Sequence, residues 1–120
     1  MLSQADAPTL PPSLEISTDE LAARLGGAEP PLVAEILGRG YFDRGHLPGA
    51  INLPLEGFAD RARRELPNKS AEIVVYCASA TCQNSDLAAR KLLSLGYEHV
   101  RVYRGGKAAW QAAGLALSVA

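Results

Sequence analysis

The run Glu72-Ile73-Val74-Val75-Tyr76, followed at once by Cys77, constrains the fold more than any other stretch of this chain. It lacks the polar/apolar alternation of a half-exposed strand. A continuous β-branched run of this length reads as a parallel strand covered on both faces. Such a strand needs helices on either side of its sheet, and the flanking sequence supplies them. Ser17 with Glu20 makes a capping box that opens a helix through Leu25, and Gly26-Gly27 ends it. Leu32 to Leu37 is a second strand-length apolar run, and Ala50-Ile51-Asn52 is a brief third. Gly38 to Pro48 reads as a long connection dense in glycine and charge, and Leu55 to Leu66 as a helix with arginines on its wet face. Ala88, Leu92 and Leu95 share one helical face, with Gly96 at the C′ position. Val100 and Val102 continue as a strand; Gly105-Gly106 then turns the chain into a last helix that carries Trp110 and stops at Gly114. Leu14-Glu15-Ile16 adds a short strand candidate near the start. Strands alternating with helices imply an α/β fold with a mostly parallel sheet.

Residues 1–13, rich in Pro, Ala, Ser and Thr, read as a flexible lead-in, and residues 14–120 as one domain. Twelve basic residues against thirteen acidic ones give a net charge of -1, which argues against nucleic acid or a membrane surface as the main partner. Met1 to Pro12 has no basic n-region and no apolar core, so it is not read as a signal peptide. No apolar run is long enough to span a bilayer, so no membrane insertion is expected. Cys77 and Cys82 are the only cysteines, too few and too close together for a secreted disulfide scaffold. A reducing compartment, the cytoplasm, is the expected setting. His46 and His99 lack ligand-like spacing to the cysteines, so no metal site is expected.

In open parallel sheets ligands bind beyond the carboxyl ends of the strands, and Cys77 stands at such an end. The stretch Ala78-Ser79-Ala80-Thr81-Cys82-Gln83-Asn84 leads from it to a helix that starts near Ser85 or Asp86. Small and polar residues let a loop curl with its N–H groups inward, as in an anion-binding nest, and the helix start adds the positive end of its dipole. Both favour a thiolate, which makes Cys77 the candidate nucleophile. The competing reading is a small buried hydrophobe that ends a core strand.

Three segments in order carry a family resemblance. Val74-Val75-Tyr76-Cys77 precedes a loop and a helix ending in Leu95-Gly96-Tyr97. Gly45-His46-Leu47-Pro48-Gly49-Ala50-Ile51-Asn52-Leu53-Pro54 comes before it, and Tyr103-Arg104-Gly105-Gly106 with Trp110 and Ala113-Gly114 follows. Over residues 14–118 or so the chain resembles the rhodanese-like (sulfurtransferase) domain. The resemblance implies a three-layer α/β domain with a central, mostly parallel sheet of about five strands flanked by helices. It also implies that the Cys77 thiolate takes the outer sulfur of a donor, thiosulfate or a persulfide or polysulfide, and becomes a persulfide. A thiol or cyanide-like acceptor, a protein thiol among the candidates, then removes that sulfur. Ala78, Ser79, Ala80, Thr81, Cys82 and Gln83 would form the substrate-binding loop, with Glu35, His46, Asn84 and Ser85 in support. No cofactor is implied, and a monomer or weak dimer is expected.

The sequence departs from the family pattern in two places. Many members carry Asp-Val-Arg on the strand before the Gly-His motif; here Glu35-Ile36-Leu37 stand there, so the arginine is missing. Glu35 is read as either bonding loop backbone or acting directly. The loop after Cys77 is also longer than the family's common one and resembles that of its phosphatase cousins. Those enzymes end the loop on an arginine that neutralises the dianion. Cys82-Gln83-Asn84 occupy that region here, and no Lys or Arg lies between Cys77 and Arg90, which argues against phosphatase chemistry. Cys82 either faces the core at the helix start or is a resolving thiol, which requires Cα atoms within about 7 Å. His46 is expected to bond backbone within its turn, Trp110 to pack in the core with Leu115, and Arg61, Arg63 and Arg64 to face solvent. His99, beside Glu98, is expected at the surface. Two rivals to the sulfurtransferase remain: a non-enzymatic rhodanese-fold module that binds a partner or senses sulfur or redox state, and a Cys77/Cys82 dithiol oxidoreductase.

Overall fold

The Glu72–Tyr76 run lies inside the sheet, with a strand on either side. In the computed structural model, which describes residues 14–119, the strands are β1 (Leu32–Glu35), β2 (Ile51–Asn52), β3 (Glu72–Tyr76) and β4 (His99–Tyr103). They stand in the order β2-β1-β3-β4, all parallel. β3 pairs with β1 from Leu32↔Ile73 to Glu35↔Tyr76 and with β4 from Glu72↔His99 to Tyr76↔Tyr103. Five helices connect and cover the strands: α1 (Thr18–Leu25), α2 (Arg39–Arg44), α3 (Phe58–Glu65), α4 (Asn84–Ser94) and α5 (Gly106–Ala112).

The apolar run of β3 is continuous because alternate side chains enter different cores. Ile73 and Val75 pack with Ala62 and Leu66 around α3 and with Ala88 and Leu92 of α4. Val74 and Tyr76 point the other way and pack with Leu21 of α1 and Trp110 of α5. The result is the expected three-layer α/β arrangement, with helices on both faces of a parallel sheet.

The sheet has four strands rather than about five. Leu14-Glu15-Ile16 makes a single parallel bridge, Glu15↔Val102, with Ile16 N–H donating to Val102 O at 3.0 Å. The pairing stops there because Ser17 already caps α1, its hydroxyl accepting from Glu20 N–H at 3.1 Å. The Glu20 carboxylate does not complete the capping box; Arg101 takes it, donating at 2.7 Å. Two further boundaries differ from the sequence reading. The connection from Gly38 to Pro48 contains α2, whose one buried side chain, Phe42, leaves no helical periodicity to detect. α3 begins only at Phe58, after Gly57 takes a left-handed φ of 64°. The arginines of α3 lie on its outer side, with Arg63 paired to Asp60 at 3.0 Å. Among the described residues, no helix is long and apolar enough to cross a membrane.

Candidate functional site

β3 delivers Cys77 to the carboxyl edge of the sheet, where its side chain is buried. The loop that follows curls tightly, with Cys82 N–H donating to Ser79 O at 3.1 Å. This reversal brings the Cα of Cys82 to 6.4 Å from that of Cys77, and the two sulfurs form a disulfide. Cys82 therefore does not pack into the core at the helix start: it is half-buried in the loop and bonded to the candidate nucleophile. The bridge spans five positions and closes only the loop itself, so it is no staple for the domain.

The surroundings of Cys77 suit an anion. Among the described residues, no backbone carbonyl accepts from the N–H groups of Ala78, Ser79, Ala80 or Thr81. α4 starts without a side-chain cap, leaving the positive end of its dipole open beside the loop. Ser85, buried in the first turn of α4, holds its Oγ 3.7 Å from Cys77 Sγ. Asn84 donates to Ile36 O at 3.0 Å and so ties the helix start to the chain leaving β1. Arg104 forks onto Asp86 at 2.6 and 2.7 Å and reaches Glu15 at 2.9 Å, anchoring the far side of the same turn. Hydrogen bonding to Asp86 raises the Arg104 pKa above its ordinary value, so this cation is permanent and committed to structure.

The Gly-Gly segment holds the loop from behind. Lys107 N–H donates to Cys77 O at 3.1 Å, and Ala108 N–H to Ala78 O at 2.9 Å. Gly106 has a φ of 64°, and a Cβ there would lie 2.3 Å from Cys77 O. Only glycine fits, because the Cys77 backbone runs directly against it. Gly106→Ala is therefore expected to cost more than about 2 kcal/mol, combining left-handed strain with a backbone clash. Urea denaturation would measure that loss, and alkylation of reduced Cys77 would report the displaced loop.

Glu35 corrects one expectation. Its carboxylate is fully buried and, among the described residues, bonds two side chains rather than loop backbone. Tyr76 Oη donates to Oε1 at 2.7 Å, and Lys107 Nζ donates to Oε2 at 3.1 Å. Lys107 also donates to Gly45 O at 2.8 Å and Tyr41 O at 3.1 Å, while Leu47 N–H donates to Tyr76 Oη at 3.0 Å. Burial raises the Tyr76 phenol far above its ordinary pKa, and the Glu35 carboxylate adds to that, so the phenol stays a donor. Lys107 escaped the sequence reading. The available signal was a lysine directly after Gly-Gly in a chain whose buried acid lacks the family's neighbouring arginine.

His46 holds its turn, with Nδ1 2.8 Å from Phe42 O and the ring stacked on Phe42 at 3.8 Å. Trp110 is buried and donates to Ala116 O at 3.0 Å, while His99 is exposed beside Glu98. A cleft of about 350 Å³ opens next to Ala78, lined also by Tyr41, Arg44, Lys107 and Gln111. Its two cations come from α2 and α5, and the Arg44 guanidinium sits 5.1 Å from the centre of the Tyr41 ring. Lys107 is paired with Glu35, so Arg44 is the cation of this cleft that the buried acid does not balance.

A family model for the rhodanese-like domain matches residues 17–113. A protein of Allochromatium vinosum named "Sulfurtransferase" is 34% identical over 101 residues, covering 84% of this chain and 91% of that protein. The HTH-type transcriptional regulator Rv0324 of Mycobacterium tuberculosis is also 34% identical, over 87% of this chain but only 44% of the regulator. The crystal structure of the Alr3790 protein from Anabaena superposes with a TM-score of 0.79 at 34% identity, covering 87% of this chain and 91% of that one. The matched span runs from the serine that caps α1, through the cysteine loop, to the close of α5, and the parallel sheet flanked by helices agrees with it: this chain belongs to the rhodanese-like domain family.

Proposed function

We propose that the chain is a sulfurtransferase in which reduced Cys77 carries sulfane sulfur as a persulfide. The observation that carries this reading is a buried cysteine at a strand's carboxyl end, followed by a loop whose Ala78 to Thr81 N–H groups donate to no backbone carbonyl among the described residues, and by an uncapped helix start. Thiolate and persulfide are both anions, and fixed N–H dipoles stabilise each without rearranging. The Cys77 thiolate attacks the outer sulfur of thiosulfate, a persulfide or a polysulfide; the rest of the donor leaves with the bonding pair. A thiol or cyanide-like acceptor then attacks the outer sulfur and restores the thiolate. Lys107 is matched by Glu35, so Arg44 supplies the cleft's surplus charge for an anionic donor. The cycle starts from reduced cysteines, which fits work in the cytoplasm. The name of the Allochromatium relative supports an enzyme, whereas that of the mycobacterial regulator matches the sensing-module alternative.

Reduced protein supplied with thiosulfate and cyanide is expected to form thiocyanate. Arg44→Ala should raise KM for thiosulfate by about fivefold with kcat little changed, the loss of one exposed charge contact. Absence of both thiocyanate formation and sulfur uptake, with thiosulfate and with polysulfide, would instead support the sensing module.

A further inference from the structure

We infer that Cys82 is an internal acceptor for the sulfur carried on Cys77, so that the domain releases hydrosulfide and closes its own disulfide. The step rests on the sulfur-carrier reading above and adds a second activity to it, reduction of sulfane sulfur to sulfide. Three observations converge on it. The sulfurs are bonded, with Cα atoms 6.4 Å apart, inside the range a disulfide spans without backbone movement. The Ser79–Cys82 hydrogen bond belongs to a tight local turn that sets Cys82 beside Cys77, so Cys82 meets the persulfide as an intramolecular thiol rather than one drawn from solution. Third, the two cysteines differ in access: Cys77 is 1% exposed, while Cys82 is half-buried.

The chemistry balances. Thiosulfate gives its outer sulfur to the Cys77 thiolate and leaves as sulfite. The Cys82 thiolate attacks Cys77 Sγ, the bond from Sγ to the outer sulfur breaks, and that sulfur departs with the pair as hydrosulfide, carrying the proton Cys82 gave up. One S–S bond breaks and one forms; the sulfane sulfur is reduced and the two cysteines are oxidised. A dithiol reductant returns the protein to its starting state. It attacks the sulfur of Cys82, the more exposed of the two residues, and Cys77 leaves as a thiolate, the form that the loop amides and the α4 N-terminus stabilise. The asymmetry in burial therefore returns the nucleophile in its reactive state.

The test is a single turnover without oxygen or added acceptor, using reduced protein and thiosulfate, with an aryl thiosulfonate in parallel. Neither donor's leaving group is sulfide. Wild type is expected to release one hydrosulfide per chain and to end lighter than the reduced protein by two hydrogens. Cys82→Ser and Cys82→Ala should keep the added sulfur on Cys77 and release at least about tenfold less sulfide. Wild type that retains the sulfur, with Cys82 still open to alkylation and no sulfide in solution, would overturn the internal-acceptor step alone. If neither Cys82 variant takes up sulfur from either donor, the carrier reading fails and takes this step with it.

Discussion

Cys77→Ser is expected to abolish sulfur uptake and to lower sulfur transfer by roughly a thousandfold or more, to the background of donor and acceptor in solution. The size follows from the chemistry. Serine lacks a polarisable sulfur, its hydroxyl stays protonated near neutral pH, and no persulfide can form on oxygen. The surrounding loop should survive the change, because its contacts are made by backbone: Cys77 O accepts from Lys107 N–H, and Ala78 O from Ala108 N–H. Serine is close to cysteine in volume, and Ser85 Oγ remains beside it as a polar neighbour. The variant should therefore fold with little loss of stability, which separates a chemical defect from a structural one. Intact mass after exposure to thiosulfate, beside a thermal melt, checks both halves. An unchanged rate in Cys77→Ser would transfer the role to another residue.

The second large effect is expected at the buried pair of Glu35 and Lys107. Lys107→Met removes the ammonium that faces Glu35 Oε2 and leaves a fully buried carboxylate with only the Tyr76 hydroxyl. Stranding one member of a buried ion pair costs about 3–5 kcal/mol. Glu35→Leu should cost a comparable amount from the other side, leaving the ammonium with the carbonyls of Tyr41 and Gly45. The double variant Glu35→Leu/Lys107→Met should be markedly less unstable than the sum of the two, because neither charge is left alone. Denaturant midpoints for all four proteins give the coupling directly. Additive losses would show that the two groups do not depend on one another. The pair ties β1 to the first turn of α5, and that turn holds the Cys77 peptide, so the single variants should also loosen the loop.

The features legible in the chain were those set by short-range chemistry. A β-branched run at Ile73-Val74-Val75 can be satisfied only between two covered faces, which made β3 and the position of Cys77 readable. Glycines were readable for the same reason: Gly96 ends α4 at a φ of 95°, and Gly106 sits where a side chain would strike backbone. α2 was not legible, because a six-residue helix with one buried side chain has no period. Nor was the loss of a fifth strand, since Ile16 has strand character but the Ser17 cap claims the chain first.

Around Cys77 the division falls in the same place. A candidate nucleophile, its seat at a strand end and the small polar loop after it could be read from the chain alone, because each depends on neighbours along the sequence. The cleft's charged groups, in contrast, come from segments that only folding brings together. Lys107 and Arg44 reach the cleft from helices remote in sequence, and Glu35 meets Lys107 because β1 and α5 converge at one edge of the sheet. The partnership of Cys77 with Cys82 was open in the sequence, which allowed a core thiol or a resolving one. The curl from Ser79 to Cys82 closed that choice, since a disulfide forms only where the backbone has already brought two Cα atoms within reach.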